Sequence, residues 1–208
     1  MFFVSDIPPE LPVMEARVMC SVEAGARYQL PYDLIFAISL TEGGKAGSKV
    51  KNKNGTYDLG YMQFNTAYLE SLYPYGITDL DVLGNTCYPF HLAAWRISQH
   101  LQEQTNDDLL TKIAYYHSRT EKFNTNYQQK LLENIDKIYE YKDLIEKYEQ
   151  RYQIKINQQY AKTQVIQEDE TFDLSNLVLE PKADDATLAN FLANTRLVII
   201  PERVRGEQ

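Results

Sequence analysis

The sequence has little of several features that mark common classes of protein. Lysine and arginine number 21 against 29 aspartates and glutamates, a net charge of −8, which argues against a nucleic-acid binder because such proteins present a basic surface. No apolar run approaches the roughly 18 residues that a membrane span needs. The 208 residues include two cysteines, Cys20 and Cys87, which by themselves fit one disulfide or two buried thiols equally well.

Glycine and proline are missing from the middle of the chain. Eight of the nine glycines and six of the eight prolines precede residue 90, and neither type occurs from Phe90 to Glu180. Because these residues interrupt regular elements, the first part is predicted to be rich in turns and the long middle to be helical. The N-terminal segment does not read as a secretory signal, since Asp6, Glu10 and three prolines interrupt it, and taken alone this favours a cytoplasmic protein or one whose start is mis-assigned or trimmed.

The apolar pattern predicts a mainly α-helical protein with one small β-hairpin at Asn54-Gly55. The acidic stretch after Lys162, with short apolar patches, is predicted to be linker and interaction motifs. The predicted helices cover Val13–Tyr28, Pro31 to Glu42, Thr66–Leu72, Thr86–Glu103, Asp107–Ser118, and a long amphipathic run from Asn126 to Tyr160 whose later part projects from the domain.

Glu42 is the first candidate for chemistry. The predicted helix that ends there contains LIFAISL and is apolar all round, so it should be buried. Apolar surroundings and the negative end of the helix dipole should both raise the pKa of its carboxyl group. An acid that stays protonated near neutral pH is what cleavage of a glycosidic bond requires, because the leaving oxygen must receive a proton. The alternative is a solvated glutamate at a helix end.

Four segments in order resemble the lysozyme-like lytic transglycosylases, particularly the specialised type that accompanies type IV secretion, conjugation and pilus systems. They are an opening helix containing CSVEA, the helix end TEGG with YDLGYMQFN after it, a second cysteine segment at residues 85–95, and IAYYHS at residues 113–118. The family patterns are Glu-Ser-Gly followed by D-x-G-x-M-Q-I-N. Gly43 and Arg119 depart from the family, which has serine and glycine there.

The resemblance implies a lysozyme-like (goose-type, SLT) domain over residues 13–140. Residues 1–12 are then an N-terminal segment, and residues 141–208 a helical extension with an acidic, partly disordered tail. The implied activity cleaves peptidoglycan glycan strands between N-acetylmuramic acid and N-acetylglucosamine, leaving a 1,6-anhydro sugar. Glu42 would be the sole acid and base, and no metal or cofactor is implied. A disulfide between Cys20 and Cys87 and a periplasmic location are also implied, although no signal peptide is recognisable.

Substrate-binding residues in the second motif follow from the same resemblance. Gly60 is expected to let the backbone approach the sugar closely. Gln63 and Asn65 are expected to hydrogen-bond its acetamido and hydroxyl groups. Met62 is expected to form a wall of the N-acetyl pocket.

The third motif supplies the remaining candidates. Tyr115, Tyr116 and His117 are expected to bind substrate, and His117 stands where the family often has asparagine. Tyr116 is also the best candidate to hydrogen-bond Glu42 and orient it. The alternative for Tyr116 is one more tyrosine of the core.

Asp58 leaves the reaction open. Glycosidases normally use two carboxylates, and an aspartate here could stabilise the oxocarbenium ion or act as nucleophile, which would make the protein a hydrolytic lysozyme. The structural alternative is an aspartate that accepts N–H bonds within the hairpin.

A second alternative is an inactive adaptor that only grips peptidoglycan, and the departures at Gly43 and Arg119 give it weight. In either case residues 141–208 could dock a secretion-channel or pilus subunit. The tyrosines that would form such a surface, with a solvated helix whose tyrosines lie along the domain as the alternative, are Tyr139, Tyr141, Tyr148, Tyr152 and Tyr160.

Overall fold

A computed structural model describes residues 4–163, with side chains through Gln153. These residues are mainly helical and include a small three-stranded antiparallel sheet, so the predicted secondary-structure class is confirmed. The predicted acidic tail and its apolar patches at residues 174–179, 188–192 and 197–200 lie outside the described part. No helix in the described part is long and apolar enough to cross a membrane.

Eight α-helices, three short strands and two 3-10 turns follow one another in the described residues. The helices are α1 (Val13–Tyr28), α2 (Tyr32–Glu42), α3 (Thr66–Glu70), α4 (Asp79–Leu83), α5 (Tyr88–Gln102), α6 (Leu109–Ala114), α7 (Glu121–Lys137) and α8 (Lys142–Thr163). The strands are β1 (Lys49–Lys51), β2 (Tyr57–Leu59) and β3 (Phe64–Asn65), and the 3-10 turns are Tyr73–Tyr75 and Ile138–Tyr141.

Helix α2 forms the centre of the core. It packs against α1, α5 and α7, and its residues from Leu34 to Ser39 are buried. The helix starts after Pro31, whose ring fixes a backbone angle compatible with a first turn. It ends at Gly43, which adopts the left-handed conformation with φ of 67° that glycine tolerates best. This position brings the last residue, Glu42, from the core to its edge.

The sheet follows α2 and contains the aspartate of the second motif. Strand β1 pairs with β2, and β2 pairs with β3, both antiparallel. The register places Asp58 in the central strand, opposite Val50 on one side and Asn65 on the other. Gly55 closes the first hairpin with φ of 89°.

Two connections join the start of the chain to the loop before α5. The predicted disulfide is present, joining Cys20 of α1 to Cys87 across 67 residues with a Cα–Cα distance of 4.9 Å. Ahead of α1, the backbone of residues 5–7 pairs with that of residues 85–87, through Cys87 N–H to the Ser5 carbonyl (2.8 Å) and Ile7 N–H to the Asn85 carbonyl (2.9 Å). We call residues 5–7 the N-terminal strap.

The long helix predicted from Asn126 is divided in two. Helix α7 ends at Lys137, a 3-10 turn follows, and α8 returns to pack against α1 instead of projecting from the domain. Ile145 and Tyr148 of α8 are buried, and the Tyr148 hydroxyl donates to Glu15 of α1 at 2.8 Å. The packed body therefore extends beyond the boundary predicted at residue 140.

The predicted tyrosine surface is divided as a consequence. The Tyr141 ring meets Phe36 edge-on at 5.3 Å, and Tyr148 is buried, so both pack on the domain as in the alternative reading. Tyr152 is half-buried against the core, whereas Tyr139 is 80% exposed. The side chain of Tyr160 lies outside the described part.

Candidate active site

Glu42 stands at the end of α2, with its carboxyl group partly exposed at the edge of the core. Burial raises the pKa of this group to about 7, and the negative charge of Asp58 acts in the same direction. A hydrogen bond from Tyr127 and the positive charges of Arg96 and Lys130 oppose the rise. Because desolvation disfavours the carboxylate most, a large fraction of Glu42 is protonated near neutral pH. The group can therefore donate a proton there.

Tyr127 of α7 orients the acid. Its hydroxyl donates to Oε1 of Glu42 at 2.7 Å, and its ring is buried. Two turns further along α7, the side-chain amide of Asn134 donates to Thr41 Oγ1 at 3.0 Å. Helix α7 thus holds the end of α2 at two adjacent residues. The sequence shows Tyr127 only as one position of the amphipathic helix predicted from Asn126.

Tyr116 does not make the hydrogen bond expected of it. Its hydroxyl donates to the backbone carbonyl of Met62 at 2.8 Å, and the side chain is buried. The expectation that Tyr116 orients Glu42 is therefore corrected: Tyr127 has that contact. The reason is geometric, since α7 lies directly along α2, whereas Tyr116 follows α6 and reaches the turn after β2.

His117 lies beside the tyrosine that bonds the acid. Its ring stacks on Tyr127 with centroids 5.0 Å apart and an angle of 4° between planes, and the residue is exposed. Partial desolvation of the stacked ring and the charge of Lys130 lower the pKa of His117. A neutral imidazole at the edge of the site can donate or accept one hydrogen bond to a sugar hydroxyl.

Arg17 of α1 secures the other side of the end of α2. The guanidinium is buried and donates to the carbonyls of Ser39 and Gly44, which bracket Glu42 in the chain. The Ser39 carbonyl, in the last turn of α2, also accepts the Gly43 N–H at 3.1 Å, and Gly44 lies just past the end of the helix. The sequence does not single out Arg17, which it shows only as one charged position of α1.

Gly44 and Gly60 bring two backbone segments into contact beside the acid. A Cβ on Gly44 would lie 2.0 Å from the Gly60 carbonyl oxygen, and a Cβ on Gly60 would lie 2.0 Å from the Val82 carbonyl oxygen. Gly60 also has φ of 68°. The turn at Gly60 therefore packs closely onto Val82 at the end of α4, and the expected approach of this backbone to a sugar stays a prediction.

The side chains around Gly60 also serve the turn. The Gln63 amide donates to the Gly60 carbonyl at 2.8 Å and to Ser48 Oγ at 3.3 Å. Met62 is fully buried, so it packs in the core and does not form the wall of an open pocket as expected. The donor group of Gln63 is likewise engaged within the protein. These residues shape the site through the turn they stabilise.

Asp58 and Asn65 are joined across β2 and β3. The Asn65 amide donates to Asp58 Oδ1 at 2.8 Å and to Thr56 Oγ1 at 2.9 Å, and its oxygen accepts the Ala67 N–H at 3.0 Å as the cap of α3. Both N–H groups of Asn65 are used, which leaves none to donate to a sugar. Within the described residues Asp58 accepts from this side-chain amide rather than from hairpin N–H groups, and its second oxygen has no hydrogen bond.

Tyr115 belongs to a different cluster. Its hydroxyl donates to Asp107 Oδ2 at 2.6 Å, and the Arg119 guanidinium lies 4.3 Å from the centre of its ring. Arg119, at the position where the related family has glycine, pairs with Glu103 at 2.5 Å. Of the predicted substrate-binding residues, His117 therefore lies at the acid, whereas Tyr115 takes part in an ion-pair cluster.

Two cations near Glu42 were missed from the sequence. Arg96 of α5 is half-buried, and Lys130 of α7 is exposed. Both lower the pKa of Glu42 and of His117, which places them in the same site. Arg96 could not be singled out because it follows Trp95 in an ordinary amphipathic helix, and Lys130 resembles any lysine on a solvated face.

Comparison with known proteins finds partial relatives. The chain is 33% identical over 86 residues to Protein IpgF of Shigella flexneri and 31% identical over 86 residues to Protein IpgF of Shigella sonnei. Each alignment covers 41% of this chain and 57% of the relative. The match thus spans little more than half the length of these curated relatives. No family model matches the chain.

Proposed function

We propose that this protein is a peptidoglycan lytic transglycosylase with a lysozyme-like fold. The observation that carries the proposal is Glu42, a partly exposed acid at the end of a buried helix, with a pKa raised to about 7 and a hydrogen bond from Tyr127. The ordered resemblance of four sequence segments to that family supports it. The match to IpgF adds a partial relative without a stated activity.

In the proposed reaction one carboxyl group acts twice. Glu42 donates its proton to the oxygen that links N-acetylmuramic acid to N-acetylglucosamine, as the bond to the muramyl anomeric carbon breaks. The carboxylate then accepts the proton of the muramyl C6 hydroxyl, as that oxygen bonds the anomeric carbon. The product is a 1,6-anhydro sugar, no water is consumed, and Glu42 returns to its protonated form. A pKa near the working pH suits both steps.

Hydrolysis is the second candidate reaction, and Asp58 is the observation that favours it. Its charge acts on Glu42, and one of its carboxylate oxygens has no hydrogen bond within the described residues. Hydrolytic glycosidases normally use two carboxyl groups in one active site. In that case Glu42 would protonate the leaving oxygen, and Asp58 would stabilise or trap the sugar cation until water attacks.

The experiment is digestion of purified sacculi by the full chain, with mass spectrometry of the released fragments. Anhydro-muropeptides from the wild type and none from Glu42→Gln support the proposal. Fragments with reducing ends would replace the transglycosylase by a lysozyme. Retention on sacculi without any release by the wild type would leave an inactive adaptor.

A location in the periplasm is part of the proposal. The disulfide between Cys20 and Cys87 supports it, since such bonds persist in oxidising compartments. Residues 141–208 are proposed to reach a secretion-channel or pilus subunit, with exposed Tyr139 just before this region. Deleting residues 164–208 should then leave sacculus cleavage intact and impair the secretion system served, and an unimpaired system would contradict the docking role.

A further inference from the structure

Arg96 is held in place by aromatic rings. Its guanidinium carbon lies 4.0 Å from the centre of the Tyr68 ring and 5.0 Å from that of Tyr116. Both tyrosines contact Phe64, with ring centroids 6.0 Å apart in each case, and the Tyr116 hydroxyl is fixed on Met62. Stacking on rings orients a guanidinium without using its N–H donors.

The donors of Arg96 are unused by the side chains and backbone that the structure describes. No carboxylate pairs with Arg96, and no oxygen accepts from it, among residues 4–153, the part whose side chains are described. The side chain is half-buried, so the cation still reaches the site. Arg17, the other arginine near Glu42, differs because two of its N–H groups donate to backbone carbonyls.

Lys130 supplies a second cation, from α7 instead of α5. It follows Tyr127 by three residues on α7, which places the two on neighbouring positions of one face. Tyr127 bonds Glu42 and Asn134 bonds Thr41, so this face of α7 runs along the end of α2. Lys130 is exposed and has no ion pair or hydrogen bond with another residue of the described side chains.

The charges of Arg96 and Lys130 lower the pKa of Glu42, whereas the proposed reaction needs this acid protonated. The whole chain carries a net charge of −8, so the pair of cations near Glu42 is not a general property of its surface. Asp58 is the other charged carboxylate acting on Glu42, and one of its oxygens is engaged by Asn65. An anion brought by the substrate would neutralise the cations. A guanidinium whose N–H groups have no other acceptor can donate two parallel hydrogen bonds to the two oxygens of a carboxylate.

We propose that Arg96, assisted by Lys130, binds carboxylate groups of the peptidoglycan strand and makes the site selective for anionic over neutral glycan. This rests on the proposed function and specifies its substrate. The carboxylate can come from two sources. One is the lactyl group of a muramic acid that has lost its peptide, and the other is the peptide stem.

The experiment compares three substrates with the full chain. The first is native sacculi. The second is sacculi whose carboxylates have been converted to methylamides with carbodiimide. The third is glycan strands freed of peptides by an amidase, which retain the lactyl carboxylate alone. The expected result is about tenfold higher kcat/KM on native than on amidated sacculi, mostly through KM, as expected for loss of a charge-assisted hydrogen-bond pair.

Variants of Arg96 and Lys130 test whether these cations cause the preference for native over amidated sacculi. Arg96→Gln should reduce kcat/KM about tenfold more on native sacculi than on amidated ones, and Arg96→Lys should recover part of that difference because the charge returns without the planar fork of donors. Lys130→Gln should lose less. Lys122→Gln is the matched control, since Lys122 is an exposed lysine in the first turn of the same helix. Dependence on Arg96 that persists on stripped strands identifies the lactyl carboxylate, and dependence confined to native sacculi identifies the peptide stem.

Equal cleavage of native and amidated sacculi by the wild type, together with equal cleavage of stripped strands by the wild type and Arg96→Gln, overturns this inference and leaves the proposed function standing. A wild type that cleaves none of the three substrates overturns the proposed function instead. Thermal unfolding of each variant separates binding from folding. Should Arg96→Gln unfold, the wild-type ratio together with Arg96→Lys and Lys130→Gln still decides the question.

Discussion

The two ends of helix α2 carry carboxyl groups with a similar perturbation and different surroundings. Burial is the largest cause of the raised pKa at both, to about 6 for Asp33 at the start and to about 7 for Glu42 at the end. A second carboxylate adds to the shift in each case, from Glu149 of α8 and from Asp58 of β2. A raised pKa alone therefore does not distinguish a candidate active site here.

The difference lies in the partners. One oxygen of Asp33 is buried without a hydrogen bond within the described residues, and the charge that acts on this group comes from a helix packed over α1. Glu42 has a tyrosine donor, a stacked histidine beside that donor and two unpaired cations. The carboxyl group at the start of α2 is thus buried without a matching partner, whereas the one at its end has the partners that the proposed proton transfer requires.

The largest expected effect is on sacculus cleavage, and it distinguishes Glu42 from Asp33. Glu42→Gln should reduce sacculus cleavage by about a thousandfold, because a positioned acid contributes that order of rate and the amide cannot transfer its proton. Asp33→Asn should leave cleavage within about twofold of the wild type. Dye release from labelled sacculi measures both. A comparable loss from Asp33→Asn would erase the distinction between the two ends.

The next expected effect concerns two buried tyrosines that each donate one hydrogen bond. Tyr127→Phe should reduce cleavage about tenfold because Glu42 loses its orienting partner. The bond lowers the pKa of Glu42, so its removal should raise that pKa and move the fall of activity at high pH to higher pH. Rates measured from pH 5 to pH 9 test this.

Tyr116→Phe is the matched control, because it removes the bond to the Met62 carbonyl and not the bond to the acid. It should lower the free energy of unfolding by about 1 kcal/mol and leave the position of the high-pH fall unchanged. A shift of that fall in Tyr116→Phe, and none in Tyr127→Phe, would reverse the assignment of the orienting residue.

Asp58→Asn should have a smaller effect on activity than Glu42→Gln. The substitution removes a negative charge that raises the pKa of Glu42, so the high-pH fall should move to lower pH, opposite to Tyr127→Phe. The new amide oxygen can still accept from Asn65, so the hairpin should persist. Activity at the optimum should decrease by about tenfold. Equal and complete loss in both variants would count against a single-acid mechanism.

The smallest expected effect is on stability at the start of α2. The folded-state pKa of Asp33, about 6, is above the ordinary aspartate pKa of 3.8, so the penalty of burying its charge is present at neutral pH and disappears as pH falls toward 4. Asp33→Asn should stabilise the protein by about 1 kcal/mol at pH 7, allowing for solvent screening of a partly exposed group. Melting temperatures at pH 7 and pH 4 measure it, and an equal gain at both would contradict the explanation.

The sequence was most informative where a feature depends on neighbours in the chain. The bounds of α1 agree with the predicted Val13–Tyr28, and the end of α2 at Glu42 follows from the glycines after it. The hairpin at Gly55 is set by its own turn residues. The break between α7 and α8 could not be predicted, since Ile138–Tyr141 contains neither glycine nor proline and bends so that Ile145 can pack on α1.

The partners of the acid depend on contacts between distant residues. Tyr127 lies 85 residues from Glu42 in the chain, and Arg17 is 22 and 27 residues from the two carbonyls it bonds. The local sequence pattern shows Tyr127 and Arg17 only as single positions of two helices. Tyr116 was favoured instead of Tyr127 because it belongs to a recognisable motif, and Met62 was placed in a pocket for the same reason.

The N-terminal strap and the disulfide have a consequence for the order of folding. Residues 5–7 and Cys20 all meet the segment from Asn85 to Cys87, so both connections close loops that include α2, the sheet and the short helices after it. The loss of chain entropy on closing a loop grows slowly with loop length. Once one of the two connections has formed, its residues hold the other pair close together, so forming the second connection loses little further entropy. Contacts so distant in the chain also slow the search for the native state. The two connections should therefore form cooperatively, and the acid at Glu42 should acquire its final surroundings late, after α5 has met α1.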